Sequence, residues 1–263
     1  MNPKKPPRSN NGFRAPSISR SLRNGWDPRP QTPDPIPYTN PVDVRRRHLV
    51  SFLLIGLLCA CFGCEKARAA QPLSGAPPVS EPQSLVCFGD SITAGYGLPA
   101  GDAYPDFLQR KLAAAGYHYK VINHGTSGAT TKDAVADLHG IVQMHPAVVV
   151  VEFGGNDGLR GLPLTETRRN LDEVLTTLEA AHIKVLLAGI TLPPNYGPDY
   201  IRAFEMVFHE LAAQHRVAFV PMIYVGLIHR QGVIQPDGIH PTAKGSNIVA
   251  DTLIAALKPM LKK

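Results

Sequence analysis

From Leu85 onward, short and nearly pure apolar runs alternate with longer stretches in which apolar residues recur every three or four positions. Leu85-Val86-Cys87-Phe88 reads as a strand, and Ala103 to Ala115 as a helix that Gly116 ends. Lys120-Val121-Ile122 reads as a second strand, followed by a helix from Thr131 to His145 that Pro146 closes. The run from Ala147 to Phe153 is almost unbroken β-branched apolar sequence, the signature of a central parallel strand buried on both faces. Thr165 to Ala181 places Leu171, Val174, Leu175 and Leu178 on one helical stripe. A strand from Lys184 to Ile190, a helix from Tyr200 to His215, a strand from Ala218 to Met222 and a helix from Ala243 to Leu261 complete the pattern. Strand–helix repeats without hairpin signals predict a three-layer α/β/α sandwich around a five-stranded parallel sheet, as one domain over residues 85–263. In such sheets ligands bind at the carboxyl ends of strands, so the loops there are where chemistry is expected.

Upstream the pattern differs. Residues 1–44 are rich in Pro, Asn, Ser and Arg and lack apolar periodicity, so they cannot bury enough surface to offset their ordering entropy and read as disordered. Arg45-Arg46-Arg47 then precedes an uncharged run from Leu49 to Cys64, and Ala67-Arg68-Ala69-Ala70 follows; residues 45–70 have the pattern of a secretory signal. The run is short for a membrane-spanning helix, which needs about 20 residues. Two processing routes stay open. Leu58-Cys59-Ala60-Cys61 resembles a lipoprotein box, in which an acylated Cys61 would tether the protein to a membrane. Cleavage near Ala69 or Ala70 would instead release a soluble periplasmic or secreted protein. Residues 71–84, with four prolines, read as a linker.

Charge follows the same division. Of 27 Lys and Arg against 21 Asp and Glu, residues 1–70 hold 12 against four, which leaves 15 against 17 for the rest. The basic excess therefore belongs to the leader, and the body has no electrostatic case for nucleic-acid binding. Of the four cysteines only Cys87 lies in the body, so no disulfide forms within it.

Four loops carry candidate chemistry. The first strand runs into Gly89-Asp90-Ser91, which puts a serine hydroxyl just past a strand end, although a capping serine in a Gly-rich turn reads equally well. Asn123-His124-Gly125-Thr126-Ser127-Gly128 follows the second strand, where Gly128 can present its N–H without a side chain in the way. Gly154-Gly155-Asn156-Asp157-Gly158 ends the most hydrophobic strand and suits either an oxyanion donor or a simple turn. Asp237-Gly238-Ile239-His240-Pro241 lets a carboxylate orient an imidazole three residues on, although Asp237 as a helix cap is the plainer alternative. No G-x-G-x-x-G or G-K-[ST] follows the first strand, and the body holds no H-E-x-x-H or C-x-x-C, so neither cofactor nor metal is expected.

Together, in this order and spacing, the four blocks resemble the SGNH, or GDSL-type, hydrolases across residues 85–263. The resemblance implies a flavodoxin-like fold and a serine esterase or thioesterase acting on small-molecule acyl esters and thioesters, as a monomer. It makes Ser91 the nucleophile, His240 the base and Asp237 its orienting carboxylate. It builds an oxyanion hole from the Ser91 and Gly128 N–H groups and the Asn156 side chain. It leaves Asp90 and Asp157 without a catalytic step, as supports that hydrogen-bond the loops. Leu159, Leu162, Leu192 and Pro193 are candidates for an acyl groove, although each reads equally well as ordinary loop packing. A carbohydrate O-deacetylase of the same family is the rival enzyme; the apolar loop residues argue against it, and the only tryptophan, Trp26, lies in the leader. A non-catalytic module of the same fold would be expected to lose Ser91, Asn156 or His240, and all three are present.

Overall fold

A computed structural model describes residues 82–227 and 230–263. The predicted extension, secretory signal and acylated Cys61, and all of the linker before residue 82, lie outside the described residues. The chain forms five parallel strands in the order β2-β1-β3-β4-β5: β1 Gln83–Gly89, β2 Tyr119–Gly125, β3 Val148–Glu152, β4 Lys184–Ala188 and β5 Ala218–Val220. Between and after them come helices α1 Ser91–Ala94, α2 Tyr104–Ala114, α3 Thr131–Gln143, α4 Gly155–Leu159, α5 Leu164–Ala180, α6 Pro198–His215 and α7 Ala243–Leu257. α2 packs against α7 on one face of the sheet, and α3, α5 and α6 pack in a row on the other. This is the predicted three-layer, doubly wound arrangement, and its strand order reverses between β1 and β3.

The periodicities translate directly into packing. All five positions of β3 are buried, and β1 pairs on both sides, Val86 lying opposite Ile122 of β2 and Val149 of β3. The stripe of α5, Leu171, Val174, Leu175 and Leu178, is wholly buried. Each such side chain removed from water contributes about 1.5–3 kcal/mol.

Element ends differ from the sequence pattern where single residues intervene. β1 begins at Gln83, so the last residues assigned to the linker belong to the sheet, opposite Tyr119 and Lys120. β5 stops at Val220 because Pro221 has no N–H to give a ladder. The final helix yields at Leu257 to a 3-10 turn over Lys258–Met260, with Pro259 inside it. Two short helices escape the pattern altogether, α1 after β1 and α4 after β3, because each is a single turn with no apolar stripe to reveal it.

Candidate active site

The turn after β1 has room for nothing larger than glycine at its first position. A Cβ on Gly89 would come within 2.0 Å of Thr93 Oγ1 and 2.8 Å of Glu152 Oε2. Asp90, 2% exposed, caps α1 by accepting the Ile92 N–H on Oδ1 at 3.0 Å, which leaves Ser91 as the first helical residue at the edge of the crevice. The Ser91 carbonyl is taken by the Gly95 and Tyr96 N–H groups at 3.1 and 3.0 Å.

His240 arrives from the loop before α7. Asp237 Oδ1 accepts the backbone N–H groups of Ile239 and His240 at 2.9 and 3.0 Å, folding the segment into a tight turn. Its other oxygen lies 2.7 Å from His240 Nδ1, and His240 Nε2 lies 2.8 Å from Ser91 Oγ. Partial burial pushes the Asp237 carboxyl up, but the Ile239 N–H, the His240 ring and the His240 N–H outweigh it and hold Asp237 below its ordinary value. An ionised Asp237 requires the proton on Nδ1, so Nε2 faces the Ser91 hydroxyl as an acceptor. The cap of α7 is Thr242, whose hydroxyl accepts the Gly245 N–H, so Asp237 is free of that duty.

Asn156 comes from α4 rather than from a plain turn. Its Nδ2 donates to Ala129 O at 2.9 Å and to Asp90 Oδ2 at 3.2 Å, which clasps the loops after β1 and β2 together. Gly128 sits one residue before Ala129 with φ +82°, and its carbonyl accepts Arg160 Nη2 at 2.9 Å. Among the described residues, the Ser91 and Gly128 N–H groups donate to no protein atom. Asp157 is buried and ties α4 to α3 and α5, accepting the Thr131 N–H at 2.9 Å, the Thr131 hydroxyl at 2.5 Å and the Thr167 hydroxyl at 3.4 Å.

The candidate acyl residues separate. Leu159, Leu162 and Pro193 are half-buried, Leu159 ending α4, Leu162 in the loop after it and Pro193 in the segment after β4. Leu192, at 4% exposure, is a core side chain pressed beneath Gly158, where a Cβ would stand 2.6 Å from Leu192 Cδ2. That loop is held by Tyr196, whose hydroxyl donates to Leu159 O at 2.7 Å. A cavity of about 240 Å³ opens elsewhere, beside α3, lined by Phe88, Phe153, Ala129 and Thr126 with Asp133 and Asp137 on it; none of the four candidates lines it.

Three residues that the sequence did not single out complete the site. Gln235 Nε2 donates to Tyr96 O at 2.8 Å and Pro241 O at 2.9 Å, joining the serine turn to the histidine loop. The Tyr96 ring lies over His240, centroids 4.6 Å apart, and remains 53% exposed. Glu152 ends β3 fully buried. Only Glu152 left a visible signal, an acid closing an otherwise apolar strand.

This frame of five parallel strands is that of the SGNH hydrolases. Residues 87–248 match the family described as GDSL-like lipase/acylhydrolase, and the chain belongs to it. It is accordingly an ester hydrolase. It is 42% identical over 180 residues to Esterase TesA of Pseudomonas aeruginosa, a match spanning 68% of this chain and 90% of that protein. It is 35% identical over 179 residues to Thioesterase 1/protease 1/lysophospholipase L1 of Escherichia coli K12, spanning 68% and 85%. The crystal structure of TesA superposes with a TM-score of 0.66 at 42% identity, covering 68% of this chain and 100% of that one.

Proposed function

We propose that the protein is a serine esterase and thioesterase that cleaves small acyl esters and acyl thioesters by two-step acyl transfer to water. The observation that carries this reading is the unbroken relay from Ser91 Oγ to His240 Nε2 at 2.8 Å and from Nδ1 to Asp237 at 2.7 Å. The Ser91 oxygen attacks the acyl carbonyl as Nε2 takes its proton, and the carbonyl oxygen becomes an oxyanion. The Ser91 and Gly128 N–H groups receive that charge. Asn156 Nδ2 joins them by turning from the longer of its two bonds, the 3.2 Å one to Asp90, toward the substrate. The imidazolium, stabilised by Asp237, then protonates the leaving alcohol or thiol, and the acyl chain remains on Ser91. Water repeats the sequence, giving its proton to Nε2 and releasing the carboxylic acid.

Aryl esters, lysophospholipids and fatty acyl-CoA fit this chemistry, which asks only for an activated carbonyl and a protonatable leaving group. Half-buried Leu159, Leu162 and Pro193 favour an apolar acyl chain over an acetylated sugar. The basic cluster at Arg45–Arg47 and the apolar run behind it support export, with Cys61 as the point at which a lipid tether would attach. Ser91→Ala is expected to abolish hydrolysis of p-nitrophenyl acyl esters with circular dichroism unchanged. A panel crossing acyl length with alcohol, thiol and sugar-hydroxyl leaving groups reads the substrate class; undiminished hydrolysis by the Ser91 variant overturns the mechanism.

A further inference from the structure

Four consecutive valines lead β3 into Glu152, and the acid is as fully buried as they are. A carboxylate in that position needs a counter-charge or a full set of donors. Thr93 Oγ1 donates to Glu152 Oε2 at 2.8 Å, and the Tyr104 hydroxyl in turn donates to Thr93 Oγ1 at 2.9 Å. The second oxygen, Oε1, has no hydrogen-bond partner among the described residues. The carboxyl is pressed against the serine turn: a Cβ on Gly89 would stand 2.8 Å from Oε2, and the Asp90 N–H donates to the Glu152 carbonyl at 3.2 Å.

Among the described residues, the titratable groups that act on Glu152 give it no cationic partner. They are the Cys87 thiol of β1, the Asp90 carboxyl, the Tyr104 phenol of α2 and the Tyr224 phenol beyond β5. His240 acts on Asp90, and Asp237 on Tyr224. An ionised Glu152, with one bare oxygen and acids for neighbours, would be an uncompensated buried charge. A neutral acid removes that conflict.

We propose that Glu152 is a positioning residue kept protonated beneath the nucleophile turn, so that it and Asp90 carry one negative charge between them, held on Asp90. That charge grips the Ile92 N–H, which fixes the serine turn, and holds the Asn156 amide in the resting site until substrate takes it over. The inference rests on the assignment of Ser91 and Asn156 given above. Burial pushes the Glu152 carboxyl well above its ordinary value, and the Asp90 charge adds to this. Burial also raises Asp90, to about 6, against the downward pull of the Ile92 N–H, Glu152, His240 and Asn156. As pH falls through that value, Asp90 loses its charge, and its grip on the Ile92 N–H, and with it the set of the serine turn, loosens.

Two measurements test this. The infrared difference spectrum between the wild type and Glu152→Gln at neutral pH is expected to lose a protonated-carboxyl C=O band and no carboxylate band. Loss of a carboxylate band would overturn the proposal, and this readout holds whether or not Ser91 proves to be the nucleophile. The second is the pH dependence of kcat on a p-nitrophenyl ester. Glu152→Gln reproduces the neutral side chain and is expected to leave the acid limb in place, and Glu152→Met, neutral and of the same reach, is expected to do the same. A limb moved to lower pH in either variant would show that the wild-type residue carries a negative charge close to Asp90, and that outcome also overturns the proposal. Should Glu152→Met fail to fold, Glu152→Gln and the infrared result decide.

Discussion

Truncating Asn156 to alanine separates two jobs that one side chain could hold. In the resting structure its amide is a clasp, with one hydrogen bond to Ala129 O at 2.9 Å and one to the Asp90 carboxyl at 3.2 Å. A neutral hydrogen bond contributes about 0.5–1.5 kcal/mol net, and one to a charged group about 1.5–3 kcal/mol. As a clasp alone, then, Asn156 is worth roughly 2–4 kcal/mol of stability, a loss that a domain stable by about 5–15 kcal/mol survives folded. As an oxyanion donor it is worth about 2.7–4 kcal/mol in the transition state, a fall of about 10²–10³ in kcat. The losses appear in different experiments, because stability does not enter the turnover of molecules that remain folded. Urea unfolding measures the first, and saturation kinetics on p-nitrophenyl butyrate well below the unfolding midpoint measure the second. The expected result is both: a lowered midpoint, and kcat reduced at least a hundredfold with KM little changed. A lowered midpoint with kcat within about tenfold of wild type would show that Asn156 only holds the loops.

Further outcomes follow from the same geometry. Asp237→Asn is expected to cost less activity than His240→Ala, because an imidazole without its carboxylate is misoriented yet still a base; equal losses, measured as kcat/KM on one ester, would contradict that ranking. His215 bridges Asp172 at 2.9 Å and Glu179 at 3.1 Å. Burial lowers its pKa, but hydrogen bonds and the charges of Glu179 and Asp172 outweigh burial and raise it. A histidine whose folded pKa is raised stabilises fully below its unfolded value, about 6.5, and that stability fades as pH climbs through the folded value. The melting temperature of the wild type relative to His215→Gln should therefore shrink from about pH 6 toward pH 9, and a constant difference would refute the ion pair's contribution.

How much of this was legible in the sequence depends on the range of the interactions involved. β3 and α5 announced themselves because burial on both faces, or along one stripe, leaves a periodic record in neighbouring residues. Asp237 and His240 were legible as a unit because their contact is made within one turn. The placing of Leu192 beneath Gly158, the clasp of Asn156 on Ala129 and the tie of Gln235 to Tyr96 were not, since each joins segments far apart in the chain. α4 was hidden for a different reason, being one turn of Gly, Asn and Asp that favours turns by local propensity and is held as a helix by Asp157 bonding to α3. The acid at the end of β3 was visible, but its lack of a partner is a property of the surrounding elements.

The proposed reaction depends on Ser91 being the group that His240 activates for attack. Incubating the protein with a p-nitrophenyl alkylphosphonate and reading the digested protein by mass spectrometry puts that directly to the test. A single adduct on the Ser91 peptide, formed at a rate that collapses in His240→Ala, is the expected result; an adduct on any other residue, or labelling of Ser91 at an unchanged rate without the imidazole, would contradict it.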